Sequence, residues 1–216
     1  MRTLSSLWPT VFVACVARTG RNEPMNGPVI QLDCRNGVSE ADLDRLHAGD
    51  PVELTGRVIS LRDASAARLA HALEHGEPIP ISLQNQILYA VGPSPPKPGQ
   101  VIGSAGPTTT ARMARYLPAL FKAGARAVIG KGELHGNDMG HVVAHRAVYF
   151  GAIGGLGALL AKQISAASVV AYDDLGPEAL YALDIHAFPS VVIIDRDGSN
   201  FHETARAAWR ARLSKP

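Results

Sequence analysis

Stretches of alternating hydrophobic and polar residues are interleaved with helical patterns along most of this chain. Residues 50–61 alternate in the manner of a half-buried strand, and Gly56 within them is expected to form a β-bulge. Ser39 can cap a short helix before this strand, and Asp63 can cap a longer helix after it, over residues 64–75. This part of the chain is therefore predicted to fold as helix, strand and helix.

Two strand–loop–helix–strand units with glycine-rich loops follow a short predicted strand at residues 86–91. The elements of the first unit are a strand at 100–102, a helix at 109–122 and a strand at 127–129. Those of the second unit are a strand at 147–150, a helix at 158–164 and a strand at 169–172. A helix at 177–183 and a buried strand at 191–194 come last. Because strands and helices alternate, the chain is predicted to be an α/β domain with a mixed sheet.

Composition and charge narrow the class of protein. The 216 residues are 46% hydrophobic and 19% charged, with a formal net charge of +2, as expected of one soluble globular domain. No run of basic residues is interleaved with aromatic ones, so we expect no nucleic-acid partner. No stretch reaches the ~18 to 20 apolar residues of a membrane span. We therefore expect a cytoplasmic protein without a membrane partner.

The first 28 residues differ in character from the rest. An apolar stretch at residues 11–16 follows a single early arginine and imitates a signal peptide, but Pro9 interrupts it and the stretch is short for a secretory core. We expect residues 1–28 to be a disordered extension or the product of an early start codon, with the domain occupying residues 29–216. A targeting signal is the alternative.

Metal binding by this chain is not expected. Its two cysteines, Cys15 and Cys34, are not in a Cys-x-x-Cys arrangement, and a zinc site or iron–sulfur cluster needs about three or four soft ligands. Such a low cysteine content also fits a reducing cytosol. His135, His141 and His145 lie in a polar stretch without metal-binding spacing, and we expect them on a loop surface.

The stretch richest in chemistry is GSAGPTTTAR, residues 103–112. A glycine loop that opens a helix directs free N–H groups at one point, and the helix dipole makes that point favour an anion. The hydroxyls of Thr108 and Thr109 would add to such a receptor, as would Arg112 about one turn further on. It would suit a carboxylate or a phosphate. The alternative is a proline-initiated helix with a threonine cap and a solvated arginine.

Two further cations lie at the ends of predicted strands: Arg62 directly follows the strand at 50–61, and Lys131 comes after the strand at 127–129. Ligands gather at strand ends in α/β sheets, so both can converge on one ligand. Each alone is more often a surface charge, but the glycines on both sides of Lys131 allow a ligand to approach closely. A second glycine loop at residues 151–157 imitates a dinucleotide-binding motif. Leu160 stands where its third small residue belongs, so we favour tight helix–sheet packing there.

Six blocks of sequence resemble, in this order, the C-terminal domain of class I (iron–sulfur) fumarases, which also occurs as the separate β subunit of fumarase and L(+)-tartrate dehydratase. They are GDPVELTGRVISLRD, VIGSAGPTTTARM, AVIGKGEL, AVYFGAIGGLGALLAK, VVAYDDLGPEALYALDI and FPSVVIIDRDGSN. The similarity covers about residues 38–202, and several blocks in order are more specific than any single motif. The resemblance implies a swivelling β/β/α domain that closes over a larger α subunit.

The resemblance also implies a function. The chain would be the β subunit of a hydro-lyase that adds water to, or removes it from, a C4 dicarboxylate, with fumarate/malate expected first and L-tartrate/oxaloacetate next. The enzyme would be active only with an α subunit that holds a [4Fe–4S] cluster, in an α2β2 assembly. At matching positions the substrate-binding residues are Arg62, Thr108, Thr109, Arg112 and Lys131, and Thr108 is the candidate catalytic base.

Two positions depart from the family's usual sequence. It has Arg-Asp-Ala-Ala-His after the first strand and Arg-Met-Asp after the threonine pair, where this chain has Ala66 and Ala114. The loss of this His and Asp indicates a changed substrate or a reduced activity. The five substrate-binding residues, which would clamp the substrate, remain. The alternative function is therefore a non-catalytic dicarboxylate-binding paralogue or a regulatory subunit.

Overall fold

Strands dominate the structure, which a computed structural model describes for residues 28–214. The strands are β1 (Ile30–Cys34), β2 (Pro51–Leu61), β3 (Ile87–Ala90), β4 (Ala127–Gly130), β5 (Val148–Gly151), β6 (Ile164–Ala171) and β7 (Leu180–Ile194). The α-helices are α1 (Glu40–Asp44), α2 (Asp63–Glu74), α3 (Leu117–Lys122), α4 (Gly136–Ala144), α5 (Gly157–Ala161) and α6 (Phe201–Leu213). Short 3₁₀ turns are Thr110–Arg112, Ala114–Tyr116 and Asp173–Glu178. Residues 1–27 of the predicted extension lie outside the described part.

The sheet of residues 28–214 is mixed and closes on itself. Its strand order is β1-β2-β3-β4-β5-β7-β6, and β2 pairs with β7 as well. The first five strands run parallel, whereas β7 is antiparallel to β2, β5 and β6. Strands β2, β3, β4, β5 and β7 therefore form a barrel-like ring, with β1 and β6 attached outside it. The predicted α/β class with a mixed sheet is confirmed.

The bulge predicted in β2 is present. The register of β2 against β7 shifts between Leu54 and Gly56. Gly56 has φ +142°, and a Cβ on it would collide with the backbone of Cys34 and Arg35. Because only glycine allows β1 to come this close, the bulge and the pairing of β1 depend on the same residue.

Alternate residues of the central strands face two different apolar clusters. In β4, Val128 joins the cluster that includes residues of α2, α3 and α4, whereas Ile129 joins the other cluster. Tyr149 and Phe150 divide β5 in the same way. Burial on both faces explains why these strands are continuous apolar runs in the sequence, as in parallel sheets.

Several predicted elements are wrong. The helix predicted at 177–183 is mostly the start of β7, because pairing with both β2 and β6 outweighs the helical propensity of its alanines and leucines. Residues 100–102 are irregular rather than a strand. The predicted loop around His135, His141 and His145 contains α4, whose Val142 is fully buried.

No element was predicted from the sequence in the region of the carboxyl-terminal helix α6. Most of its side chains are exposed, so it lacks the buried apolar face from which helices are usually recognised. Within residues 28–214, none of the helices combines the length and the hydropathy that crossing a bilayer requires.

Candidate functional site

The carboxyl ends of the parallel strands β2 to β5 meet at one edge of the ring. Arg62 directly follows β2, and Lys131 directly follows β4. The long loop after β3 returns to the same edge with Thr108 and Thr109. The structure therefore gathers the predicted site residues where α/β proteins commonly bind their ligands.

The segment with the threonine pair is inserted between the ends of β3 and β4. Thr108 donates its N–H to the carbonyl of Ala90 at 2.8 Å, and its own carbonyl accepts the N–H of Lys131 at 3.2 Å. The N–H of Thr110 donates to the carbonyl of Lys131 at 3.0 Å. Because the backbone is fixed from both sides, the half-buried side chains of Thr108 and Thr109 are held in place at the edge.

The anion receptor was predicted at the N-terminus of an α-helix, and this helix is absent from the structure at that point. No α-helix begins at Thr109, because pairing with the neighbouring strand ends keeps the chain extended to that point, and a 3₁₀ turn follows. The N–H groups of Thr108 and Thr110 are bonded to those strand ends. Within residues 28–214, the N–H groups of Thr109 and Ala111 have no protein acceptor. An anion at this turn could therefore bind the N–H groups of Thr109 and Ala111 together with nearby side chains, without a helix N-terminus.

A buried hydroxyl network fastens this turn to the sheet. The Oγ1 of Thr110 donates to the Tyr149 hydroxyl at 3.2 Å, which donates to the carbonyl of Gly132 at 2.8 Å. The Tyr149 hydroxyl is protonated at neutral pH and can donate, and burial raises its pKa further, to about 12. A Cβ on Gly130 would collide with Thr110 Oγ1. Sequence reasoning missed this network, for which the third threonine of the run was the only signal.

Asp63 brings two of the predicted cations together. Its Oδ2 lies 2.9 Å from Nη2 of Arg112 and 3.7 Å from Nε of Arg62. Glu178 lies on the other side of Arg62, with its Oε1 3.4 Å from Nε. The sequence predicted Asp63 only as a helix cap and did not indicate Glu178, because neither carboxylate has a recognisable spacing to the arginines.

Lys131 is exposed and has no carboxylate within ion-pair distance among residues 28–214. Its side chain extends over Gly154, where a Cβ would lie 3.2 Å from the lysine Cδ and 3.7 Å from Nζ. The second glycine loop thus makes room for the lysine. The same loop packs on the first one, since Ala105 donates to the carbonyl of Gly157 at 3.0 Å and a Cβ on Gly157 would crowd Gly106. Close packing, the favoured interpretation of this loop, accounts for Gly154 and Gly157, whereas Gly155 has open space around it and a φ of +84°.

Comparison with known families settles which one contains this chain. The family model described as "Fumarase C-terminus" matches residues 11–205. The chain belongs to the fumarase C-terminus family. The match begins ahead of the described residues, within the segment predicted to be an extension.

Named relatives come from two kinds of protein. The chain is 29% identical to the aerobic class I fumarate hydratase of Escherichia coli K12 over 193 residues, covering 88% of this chain and 35% of that enzyme. It is 30% identical to the anaerobic class I enzyme of the same strain over 181 residues, covering 82% and 33%. It is 32% identical over 186 residues to a Methanocaldococcus jannaschii protein provisionally named L(+)-tartrate dehydratase subunit beta, covering 83% and 95%. The chain thus spans about a third of the length of the fumarate hydratases it matches.

A [4Fe–4S] cluster does not fit the described part of this fumarase-family chain. Cys34 is fully buried, and burial raises the pKa of its thiol to about 12, which disfavours the thiolate that binds metal. Among residues 28–214, no group of three or more His, Cys, Asp or Glu side chains could hold a metal ion. Cys15 lies outside that part of the chain.

The two departures from the usual fumarase sequence lie in the core. Ala66 in α2 and Ala114 in a 3₁₀ turn are fully buried in the same apolar cluster. Arg62, Arg112 and Lys131 remain in the chain despite these two replacements.

Proposed function

We propose that this chain is the β-type part of a hydro-lyase that acts on a C4 dicarboxylate, with fumarate/malate as the first expectation and L-tartrate/oxaloacetate as the second. Its part is to clamp a substrate carboxylate. The observation that carries the proposal is the gathering of Arg62, Arg112, Lys131 and the threonine turn at one edge of a fumarase-family domain. Both named classes of relatives support the choice of reaction.

The charges at this edge suit one carboxylate of the substrate. This edge holds three cations, Arg62, Arg112 and Lys131, and two carboxylates, Asp63 and Glu178, which pair with the two arginines, so one net positive charge is left. A C4 dicarboxylate carries two negative charges at neutral pH. Its second carboxylate therefore needs a binding group outside this edge, which supports a second component of the enzyme.

The chemistry assigned to the clamp is electrostatic. When a proton leaves the carbon next to a carboxylate, negative charge builds on the carboxylate oxygens, and cations fixed in advance stabilise it. Lys131 and Arg112 can supply that stabilisation. Thr108 remains the candidate base because both of its backbone polar groups are hydrogen-bonded, which fixes its Cβ. A threonine hydroxyl is a very weak acid, so it would need the neighbouring cations to lose its proton.

The second component is proposed to be a larger α subunit. The chain covers 35% of a class I fumarate hydratase but 95% of a protein named as a subunit beta, which supports a two-chain arrangement. That subunit would hold the [4Fe–4S] cluster and this domain would swivel to close over it, in an α2β2 assembly. The low cysteine content supports a reducing cytoplasm as its location.

Co-production with a larger fumarase-type chain under anaerobic conditions tests the proposal. The complex should hydrate fumarate or dehydrate L-tartrate, and Lys131→Ala should reduce kcat/KM by about 10²- to 10³-fold because it removes a charge that stabilises the transition state. Lys122→Ala, which removes an exposed lysine of α3, is the matched control and should leave activity unchanged. Full activity of Lys131→Ala would contradict the clamp.

The second candidate function is a non-catalytic dicarboxylate-binding module. The observation that favours it is that Ala66 and Ala114 stand where the family usually has His and Asp, so two ionisable side chains are missing while the cations of the clamp remain. Binding of fumarate by the chain together with absence of turnover in every reconstituted complex would favour this candidate over the hydro-lyase.

A further inference from the structure

Glu178 connects the clamp to a distant segment of the chain. It ends the 3₁₀ turn Asp173–Glu178, and its side chain is 27% exposed. Its Oε2 accepts the N–H of Ala64, in the first turn of α2, at 2.8 Å. Its Oε1 lies 3.4 Å from Nε of Arg62. The two oxygens thus serve a helix end and a clamp cation.

Arg62 is confined on the side that faces Glu178. Its Nε is buried and makes no hydrogen bond within residues 28–214, although it lies close to the carboxylates of Glu178 and Asp63. Gly92 lies against the guanidinium, where a Cβ would come 2.5 Å from Nη1. The Nε edge therefore faces protein carboxylates, and the terminal nitrogens have no protein acceptor in the described residues.

The position of Glu178 does not depend on Arg62 alone. Arg68 in α2 binds Asp174 through two hydrogen bonds of 2.8 and 2.7 Å. The same guanidinium lies 4.8 Å from the centre of the Tyr172 ring. The segment that ends in Glu178 is thus fastened to α2 by a separate ion pair, so Glu178 can orient Arg62 rather than follow it.

We propose that Glu178 is a positioning residue that fixes the Nε edge of Arg62 so that the terminal nitrogens face a substrate carboxylate. The inference rests on the proposed function. A positioning role and a purely electrostatic role predict opposite effects on anion binding when the carboxylate of Glu178 is removed. A carboxylate beside an anion site repels the anion, so loss of the charge alone would tighten binding. Loss of orientation weakens binding, because a forked arginine–carboxylate pair requires a fixed geometry.

Two variants of Glu178 separate these effects. Glu178→Gln keeps the length and the acceptor for Ala64 but loses the charge. Glu178→Asp keeps the charge but is too short to reach both Ala64 and Arg62. The dissociation constant of succinate, measured by NMR titration of the full chain, should rise about tenfold in both. The matched control is Asp184→Asn, which removes a carboxylate from another arginine pair, with Arg57, and should leave the constant unchanged.

The possible outcomes distinguish failure of the positioning role of Glu178 from failure of the proposed function. If the wild-type chain binds succinate and Glu178→Gln binds equally well or more tightly, the positioning role is wrong and the proposed clamp stands. If both variants weaken binding while Glu178→Gln keeps its melting temperature, the positioning role holds. If the wild-type chain does not bind succinate even at millimolar concentration, the proposed function fails and the inference fails with it.

Discussion

Arg196 and Arg62 are arginines in opposite situations. Arg196 has a side chain only 3% exposed, and its guanidinium donates to the carbonyls of Arg146 and Glu40 at 2.7 and 3.0 Å and to Asp44 at 2.6 Å. Arg62 is 31% exposed, lies near two carboxylates and makes no side-chain hydrogen bond to the described residues. The protein supplies hydrogen-bond acceptors for the guanidinium of Arg196, whereas the guanidinium of Arg62 keeps donors that a ligand can use.

This difference separates a structural cation from a binding cation. Buried donors are normally paired, because an unpaired one costs about 1 to 3 kcal/mol. Arg196 follows that rule and joins α1 to the turn after β7. At the clamp edge the buried Nε of Arg62 lies near carboxylates without a hydrogen bond, and its terminal nitrogens have no protein acceptor among residues 28–214. Lys131 has no carboxylate partner among the same residues. Donors without protein partners, gathered at strand ends, indicate a ligand site.

The largest expected effect is that of replacing Arg62, which we propose binds a substrate carboxylate. If the proposed function is right, Arg62→Ala should lower kcat/KM of the reconstituted enzyme about 10²- to 10³-fold, because it removes a positive charge that would stabilise the transition state. The free energy of unfolding should change by less than about 1 kcal/mol, since the side chain is partly exposed and its ion pairs are long. Chemical denaturation and steady-state kinetics of the same preparation measure both. A large loss of stability would place Arg62 with the structural arginines.

Arg196→Ala should show the reverse. Removing a saturated buried guanidinium leaves several acceptors without donors, so the free energy of unfolding should fall by about 3 kcal/mol. Succinate binding by the folded chain should not change. Arg146→Ala is a suitable control, because that arginine is exposed and its pair with Asp44 should contribute only about 0 to 1 kcal/mol. Equal destabilisation by the two variants would contradict the comparison.

A smaller effect is expected at the buried hydroxyl network. Thr110→Val keeps the shape of the side chain but removes the hydrogen bond to Tyr149, and should lower the free energy of unfolding by about 1 to 2 kcal/mol. Succinate affinity should fall as well, because the threonine turn loses an anchor. Thr204→Val in the exposed part of α6 is the control and should change neither quantity. Unaltered stability in Thr110→Val would show that the network does not hold the turn.

The smallest functional effect is expected at Cys34. Burial raises the pKa of its thiol from 9.0 to about 12, so the protonated form is favoured in the folded chain. In a Cys15→Ser chain, alkylation by iodoacetamide should therefore stay slow as the pH rises from 7 to 9, and become fast only in denaturant. Cys34→Ala should leave turnover unchanged. Rapid alkylation of the native chain would mean an accessible thiolate and would reopen the question of a metal ligand here.

Local patterns predicted the parts of the fold that local residues decide. The strand ending at Leu61 and the bulge at Gly56 are visible in the sequence because alternation and a lone glycine determine them. The segment 180–185 is rich in helix-forming residues yet becomes a strand, since it is paired on both sides by strands distant in sequence. No local pattern contains that information.

The candidate site shows the same division. Arg62 and Lys131 were predicted from their places after strands, Arg112 from its place about one turn into a predicted helix, and all three from the family resemblance. Glu178, the partner of Arg62, was not predicted. It accepts the N–H of Ala64, a residue 114 positions earlier in the chain, and no local pattern indicates a contact over that separation. The backbone of the threonine turn was predicted incorrectly, since its hydrogen bonds go to the strand ends around it rather than to a helix.

The most direct test of the central claim is an NMR map of succinate binding on the ¹⁵N-labelled chain. We expect the largest amide shifts at Thr109 and Ala111, whose N–H groups have no protein acceptor in the described residues, and at Lys131. We expect no comparable shifts around Arg196. Shifts concentrated away from the carboxyl ends of β2 to β5, or a clamp edge that does not respond to saturating succinate, would contradict the account.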